Sequence, residues 1–228
     1  MKFIKQSLAL ILSWCLALCT VPLGFRVAVL LVFGFSMIGC SAKRIVLVPA
    51  PDAKLAAEPN SAQASDEGVS VLMQANAWDG YPRTLERDLI PIKVTIRNTG
   101  GHDVAIRYED FALVTANNHH YSDIPPDQIR GYSRELLEPY WAYSDAEQRA
   151  EVQLPTEAMV KRAMSQGVVV PGGETSGFLY FPRPTELLQT ITFRAFLVDA
   201  ETKQQFGSIV VPLLVRPLHG VHAHSSSL

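Results

Sequence analysis

Leu89-Ile-Pro-Ile-Lys-Val-Thr-Ile-Arg97 is a strand written in its own alternation. Ile90, Ile92, Val94 and Ile96 fall on one face of an extended chain, while Lys93, Thr95 and Arg97 fall on the other. A period of two marks a strand with one buried and one solvated face. Asn98-Thr-Gly-Gly-His-Asp103 then reads as a turn, its glycines supplying positive φ.

Short runs of the same kind lie on both sides. Val69–Ala77 precedes the strand; Val104–Tyr108, Phe111–Thr115 and His119–Tyr121 follow it. Further on come Val168–Val170, a Pro171-Gly172-Gly173 turn, Thr175–Phe181, Ile191–Asp199 and Ser208–Val215. Several short strands separated by turn residues predict an antiparallel sandwich, and the absence of a strand–helix–strand rhythm argues against a parallel sheet. The predicted fold is therefore mostly β, spanning 69–217.

Between the two β halves, residues 126–167 carry a helical pattern. Ser144-Asp-Ala-Glu147 has the form of a capping box. Pro155 to Met164 reads as a second short helix, with Pro155 in its first turn, Gly167 beyond its end, and Met159, Val160 and Ala163 on one face. An insertion of this length is expected to pack on the sandwich as a short helical element.

The N-terminus is of a different nature. Of the first 40 residues, 28 are hydrophobic, and the cations Lys2, Lys5 and Arg26 face no acid there. Arg26 followed by an apolar run and Ser36-Met-Ile-Gly39-Cys40 has the parts of an export signal: a basic start, an apolar core and small residues at the cut. This resembles the lipobox of bacterial lipoproteins, whose cysteine is acylated and becomes the first residue. Met37 departs from the Leu that the motif prefers. Cys15 and Cys19 follow the bulky Trp14 and Leu18 and fit it worse. The resemblance implies residues 1–39 as signal peptide, Cys40 as the lipidation site and anchorage at a membrane through acyl chains such as palmitate. With Ser41 after the cysteine, it implies the periplasmic face of the outer membrane in an organism with two membranes. Two other readings stay open: a transmembrane anchor over Gln6–Phe25, and a true start near Val21 or Leu23 that would explain the doubled apolar run.

Once the signal is removed, Cys40 is the last cysteine, so no internal disulfide is possible. Residues 40–68, with Pro49, Pro51 and Pro59, are expected to form a flexible tether, and 218–228 a flexible His/Ser tail. The remaining 17 basic and 22 acidic residues give a mildly acidic body, which offers no electrostatic case for nucleic acid.

Val94-Thr-Ile-Arg-Asn98, Tyr108-Glu-Asp-Phe111, Tyr121 and Val170-Pro-Gly-Gly-Glu-Thr-Ser-Gly-Phe-Leu-Tyr-Phe181 together resemble the immunoglobulin-like domains of exported bacterial lipoproteins, a family largely of unknown function. The resemblance implies an immunoglobulin-like antiparallel β-sandwich serving as an adhesion, assembly or scaffold module. It implies no catalytic residues.

The residues themselves offer little catalysis. There is no nucleophile elbow, phosphate loop, dinucleotide fingerprint or His-Glu-x-x-His. Glu109 and Asp110 are adjacent, which on a strand would point them apart, and His119-His120 fail the same test. His219, His222 and His224 have a spacing that could wrap a metal, but they sit in a tail with nothing to orient them. Tyr132, Tyr140, Trp141 and Tyr143 form an aromatic group in the insertion, suited either to an envelope protein or glycan partner or to docking the insertion on the sheet. The expectation is a non-enzymatic, cofactor-free binding or scaffold module of the cell envelope. A hydrolase or a metal-binding envelope protein is the alternative.

Overall fold

A computed structural model describes residues 45–136, 149–184 and 190–217, all within one compact unit, Lys43–Leu228. Among the described residues the strands run in chain order: β1 (Ile45–Pro49), β2 (Ser61–Asp66), β3 (Val69–Ala75), β4 (Leu89–Asn98), β5 (Val104–Ile106), β6 (Phe111–Thr115), β7 (His120–Ser122), β8 (Gly131–Leu136), β9 (Arg149–Leu154), β10 (Gly167–Val169), β11 (Glu174–Pro182), β12 (Thr190–Asp199) and β13 (Gln205–Pro217). An α-helix, α1 (Glu157–Arg162), lies between β9 and β10. The mostly-β antiparallel sandwich expected from the sequence, with a short helical element between its two β halves, is the observed fold.

One sheet has seven strands, in the order β1-β13-β12-β5-β10, with β6 also pairing β12 and β7. The other has four, β11-β4-β3-β2. Alternation along β4 does what the sequence implies: Ile90, Ile92, Val94 and Ile96 are buried and Lys93 and Arg97 are exposed. Those isoleucines meet Phe111, Leu113, Phe193 and Ile209 of the facing sheet in one core, consistent with burial of apolar area as the main stabilising contribution.

Asn98 joins the two sheets. Its side chain is fully buried, Nδ2 donates to the His102 and Val169 carbonyls (2.7 and 2.8 Å), and Oδ1 accepts from the Gly100 amide at 3.0 Å. A buried amide with its partners supplied rigidifies the turn it closes.

Three expectations are corrected. Residues 45–68 of the expected tether belong to the fold: β1 pairs with β13 and β2 with β3, burying Leu47 and Ala62. The insertion is not helical throughout, because β8 and β9 pair as antiparallel strands, and among its described residues the α-helix is confined to Glu157–Arg162. Along that helix Met159 is buried while Val160 is exposed, so the two do not share a face, and Gly167 opens β10 rather than closing the helix. The expected capping box at Ser144–Glu147 lies outside the described residues.

Candidate functional site

β11 carries Phe178-Leu-Tyr-Phe181, four consecutive buried side chains, because both of its faces are covered. Leu179 and Phe181 point into the sandwich core. Phe178 and Tyr180 point outward into a second, smaller core with Trp78, Leu85, Ile129, Leu154 and Met159. Trp78 meets the rings of Phe178 and Tyr180 edge-on, with centroids 5.1 and 6.0 Å away, a favoured aromatic geometry. Its indole Nε1 donates to the Pro82 carbonyl at 2.8 Å. Gly80 lets the loop close over this ring, since a Cβ there would lie 2.6 Å from the indole.

The free edge of β11 is closed by the insertion and by Asp123 and Ile124, which lead into it. The Met164 amide donates to the Phe178 carbonyl (2.9 Å), and the Ile124 amide to the Tyr180 carbonyl (2.7 Å). Asp123 Oδ1 takes the Tyr180 amide at 2.5 Å, standing in for a backbone carbonyl. Oδ2 of Asp123 is buried with no hydrogen-bond partner among the described residues. Burial accordingly pushes this carboxyl up to about 8, against the amide hydrogen bonds that pull it down. Gly177 permits the close approach, because a Cβ there would lie 2.5 Å from the Met164 Cα.

Where α1 and the Ala77–Asp79 loop rise beside the uncovered part of this sheet, they leave an open cleft of about 570 Å³. Its floor includes Gln74, Lys93 and Phe178, which stand in one row across β3, β4 and β11. Ser176, also on the floor, shares a hydrogen bond with Thr95 at 2.9 Å. Asp79, Lys161, Arg162 and Ser165 form the walls. Arg162 is held twice: its guanidinium lies over the Trp78 ring, 5.7 Å from the centroid, and it bonds to Asp79. That hydrogen bond and the Arg162 charge hold the Asp79 carboxyl below its ordinary value. α1 is fixed in turn by Thr156, whose Oγ accepts from the Met159 amide (3.3 Å) and donates to the Tyr81 carbonyl (2.6 Å). The cleft is thus rich in hydrogen-bond donors and carries three cations against one carboxylate.

The residues singled out from sequence are elsewhere. Tyr132 is 63% exposed on β8, so it does not dock the insertion; that role belongs to Ile129, Leu154 and Met159. Tyr140, Trp141 and Tyr143 lie outside the described residues, as do Cys40 and the histidines His219, His222 and His224. Glu109 and Asp110 both engage Arg107 beside a short 3-10 turn, at 2.9 and 2.6 Å, in a structural arrangement. His119 and His120 are exposed, and among the described residues no three His, Cys, Asp or Glu are placed to hold a metal. Among them too, no helix is long and apolar enough to cross a membrane. The cleft itself was missed. Lys93 was visible as an outward strand residue, but nothing local in the sequence links it to Lys161 and Arg162.

No protein-family profile matches the chain, and no curated protein does. Among solved structures, the yjhA protein from Bacillus subtilis is similar over 63% of this chain and 92% of its own, at 13% identity and a TM-score of 0.36. MPT63, a secreted protein from Mycobacterium tuberculosis, is similar over 58% of this chain and 82% of its own, at 12% identity and a TM-score of 0.28.

Proposed function

We propose that this protein is a lipid-anchored, extracytoplasmic binding module of the cell envelope, non-enzymatic, and that it takes its ligand in the cleft between α1 and the four-stranded sheet. The observation that carries the binding reading is the way the cleft is built. Its cations project from a strand and a helix fixed to a second core, with Arg162 held in place before any ligand arrives. Rigid placement of polar groups lowers the cost of ordering on binding. The lining offers hydrogen-bond donors and charge, which suit recognition. The Gly39-Cys40 lipobox supports anchoring through acyl chains on Cys40. Envelope protein or glycan is the expected kind of partner, and the exposed Tyr132 offers an aromatic contact elsewhere on the surface.

Fractionation of cells producing the wild type and Cys40→Ala tests the anchor. The wild type is expected in membranes with a lipid-modified N-terminal mass, and the variant is expected to lose both. A variant that keeps the lipid label would contradict the Cys40 assignment. A transmembrane reading would instead leave Cys40→Ala in membranes with the Gln6–Phe25 run uncleaved.

A further inference from the structure

We infer that the cleft recognises an anionic part of its ligand, bearing oxyanions with two or more negative charges, through Lys93, Lys161 and Arg162. This deepens the binding reading above and rests on it. The chain as a whole carries a formal charge of −2, yet the cleft walls and floor bring three cations together around one acid. Among the described residues neither lysine has a carboxylate within salt-bridge distance. Positive charge gathered in a concave site on an otherwise acidic surface raises the local concentration of anions and speeds their arrival. A volume of about 570 Å³ is within the usual span of small-molecule sites.

Donor chemistry points the same way. Arg162 presents five N–H donors in a planar fork suited to carboxylate or phosphate oxygens. Lys93 and Lys161 add ammonium groups, and Gln74, Ser165 and Ser176 add amide and hydroxyl donors. Gln74 and the two serines can also accept hydrogen bonds, so the preference for anions comes from the three cations. Asp79 has a particular part here: it is the protein's own oxyanion, lying on Arg162 at the mouth of the cleft, where it is 77% exposed. A ligand oxyanion would share or replace that contact. Asp79 therefore orients the guanidinium in the empty site and competes with the ligand for it.

Calorimetric titration of the full-length protein in detergent tests this, with inorganic pyrophosphate and citrate as separate probes at low salt. At least one is expected to bind, more weakly as ionic strength rises. The double variant Lys93→Gln/Lys161→Gln should lose about tenfold in affinity, roughly what losing two partly screened charges amounts to. Its thermal midpoint should be unchanged, since both lysines are exposed. Asp79→Asn should bind about threefold more tightly, the direction expected when an internal competitor is removed. No binding of either probe, or affinity unchanged in the double variant, would overturn the anion assignment. If a crosslinker at Ser165 nevertheless captured a discrete envelope component, the cleft would remain a binding site for a ligand of other chemistry.

Discussion

Arg162 sits over Trp78, its guanidinium carbon 5.7 Å from the ring centroid, so the cleft's best-placed cation depends on the packing of the second core. Trp78 is only 8% exposed and packs against Phe178 and Tyr180. Trp78→Ala should therefore destabilise the fold by about 3–5 kcal/mol, the range for emptying a buried aromatic site. Denaturant unfolding gives the value directly. Loss below 1 kcal/mol would mean that the second core does not hold this wall.

Asn98 is a separate test of how the sheets are joined. Asn98→Ala leaves the His102 and Val169 carbonyls and the Gly100 amide without the side-chain partners they now have. A cost of about 2–3 kcal/mol is expected for orphaning buried groups of this kind. Equilibrium unfolding should show it, with amide exchange accelerated in β10 and in the turn after β4.

Asp123 makes stability depend on pH. Its carboxyl titrates near 8 in the fold against 3.8 unfolded, so between those values the folded state keeps a proton that the unfolded chain has lost. Its contribution is fully present below about pH 4 and is lost as pH rises toward 8. Asp123→Asn keeps an acceptor for the Tyr180 amide and cannot ionise. Thermal midpoints measured from pH 4 to 8 should fall for the wild type, and the variant should lack that part of the decline. Parallel curves would show that Asp123 is charged throughout.

At Gly177 the test is steric. An added Cβ would collide with the backbone of Met164 and with the Ala163 carbonyl, so Gly177→Ala must push the insertion off the β11 edge. A loss of about 1–3 kcal/mol is expected, as for other overpacked sites. Proteolysis between α1 and β10 should quicken in step with it. A variant as stable as wild type would mean that the segment is not held against β11.

The sandwich was legible wherever one face of a strand is apolar and the other is not. β4 and β12 announce themselves in this way, and the apolar runs of β6 and β11 record burial on both faces. β2 was not legible, because Ser61–Asp66 fills its inward positions with small residues such as Ala62. β1 was not legible either, because its partner, β13, lies at the other end of the chain. β8 inverts the usual pattern. Tyr132 faces out, while Ser133 and Glu135 are buried against Thr84, whose amide donates to Glu135 Oε2 at 3.2 Å and whose hydroxyl reaches Ser133 at the same distance. Hydropathy cannot reveal a strand whose buried side is polar. The cleft was hidden for a related reason: Lys93 and Arg162 are brought together by the crossing of the insertion over β11, which no local spacing encodes.

Site-specific photocrosslinking in growing cells bears most directly on the cleft as the working site of the protein. A crosslinker at Ser165, exposed on the cleft wall, is set against one at Gln63, exposed on β2. The Ser165 position should yield a discrete adduct that weakens in the Lys93→Gln/Lys161→Gln background, and Gln63 should yield none. Equal labelling from both positions, or no adduct from Ser165, would contradict the account.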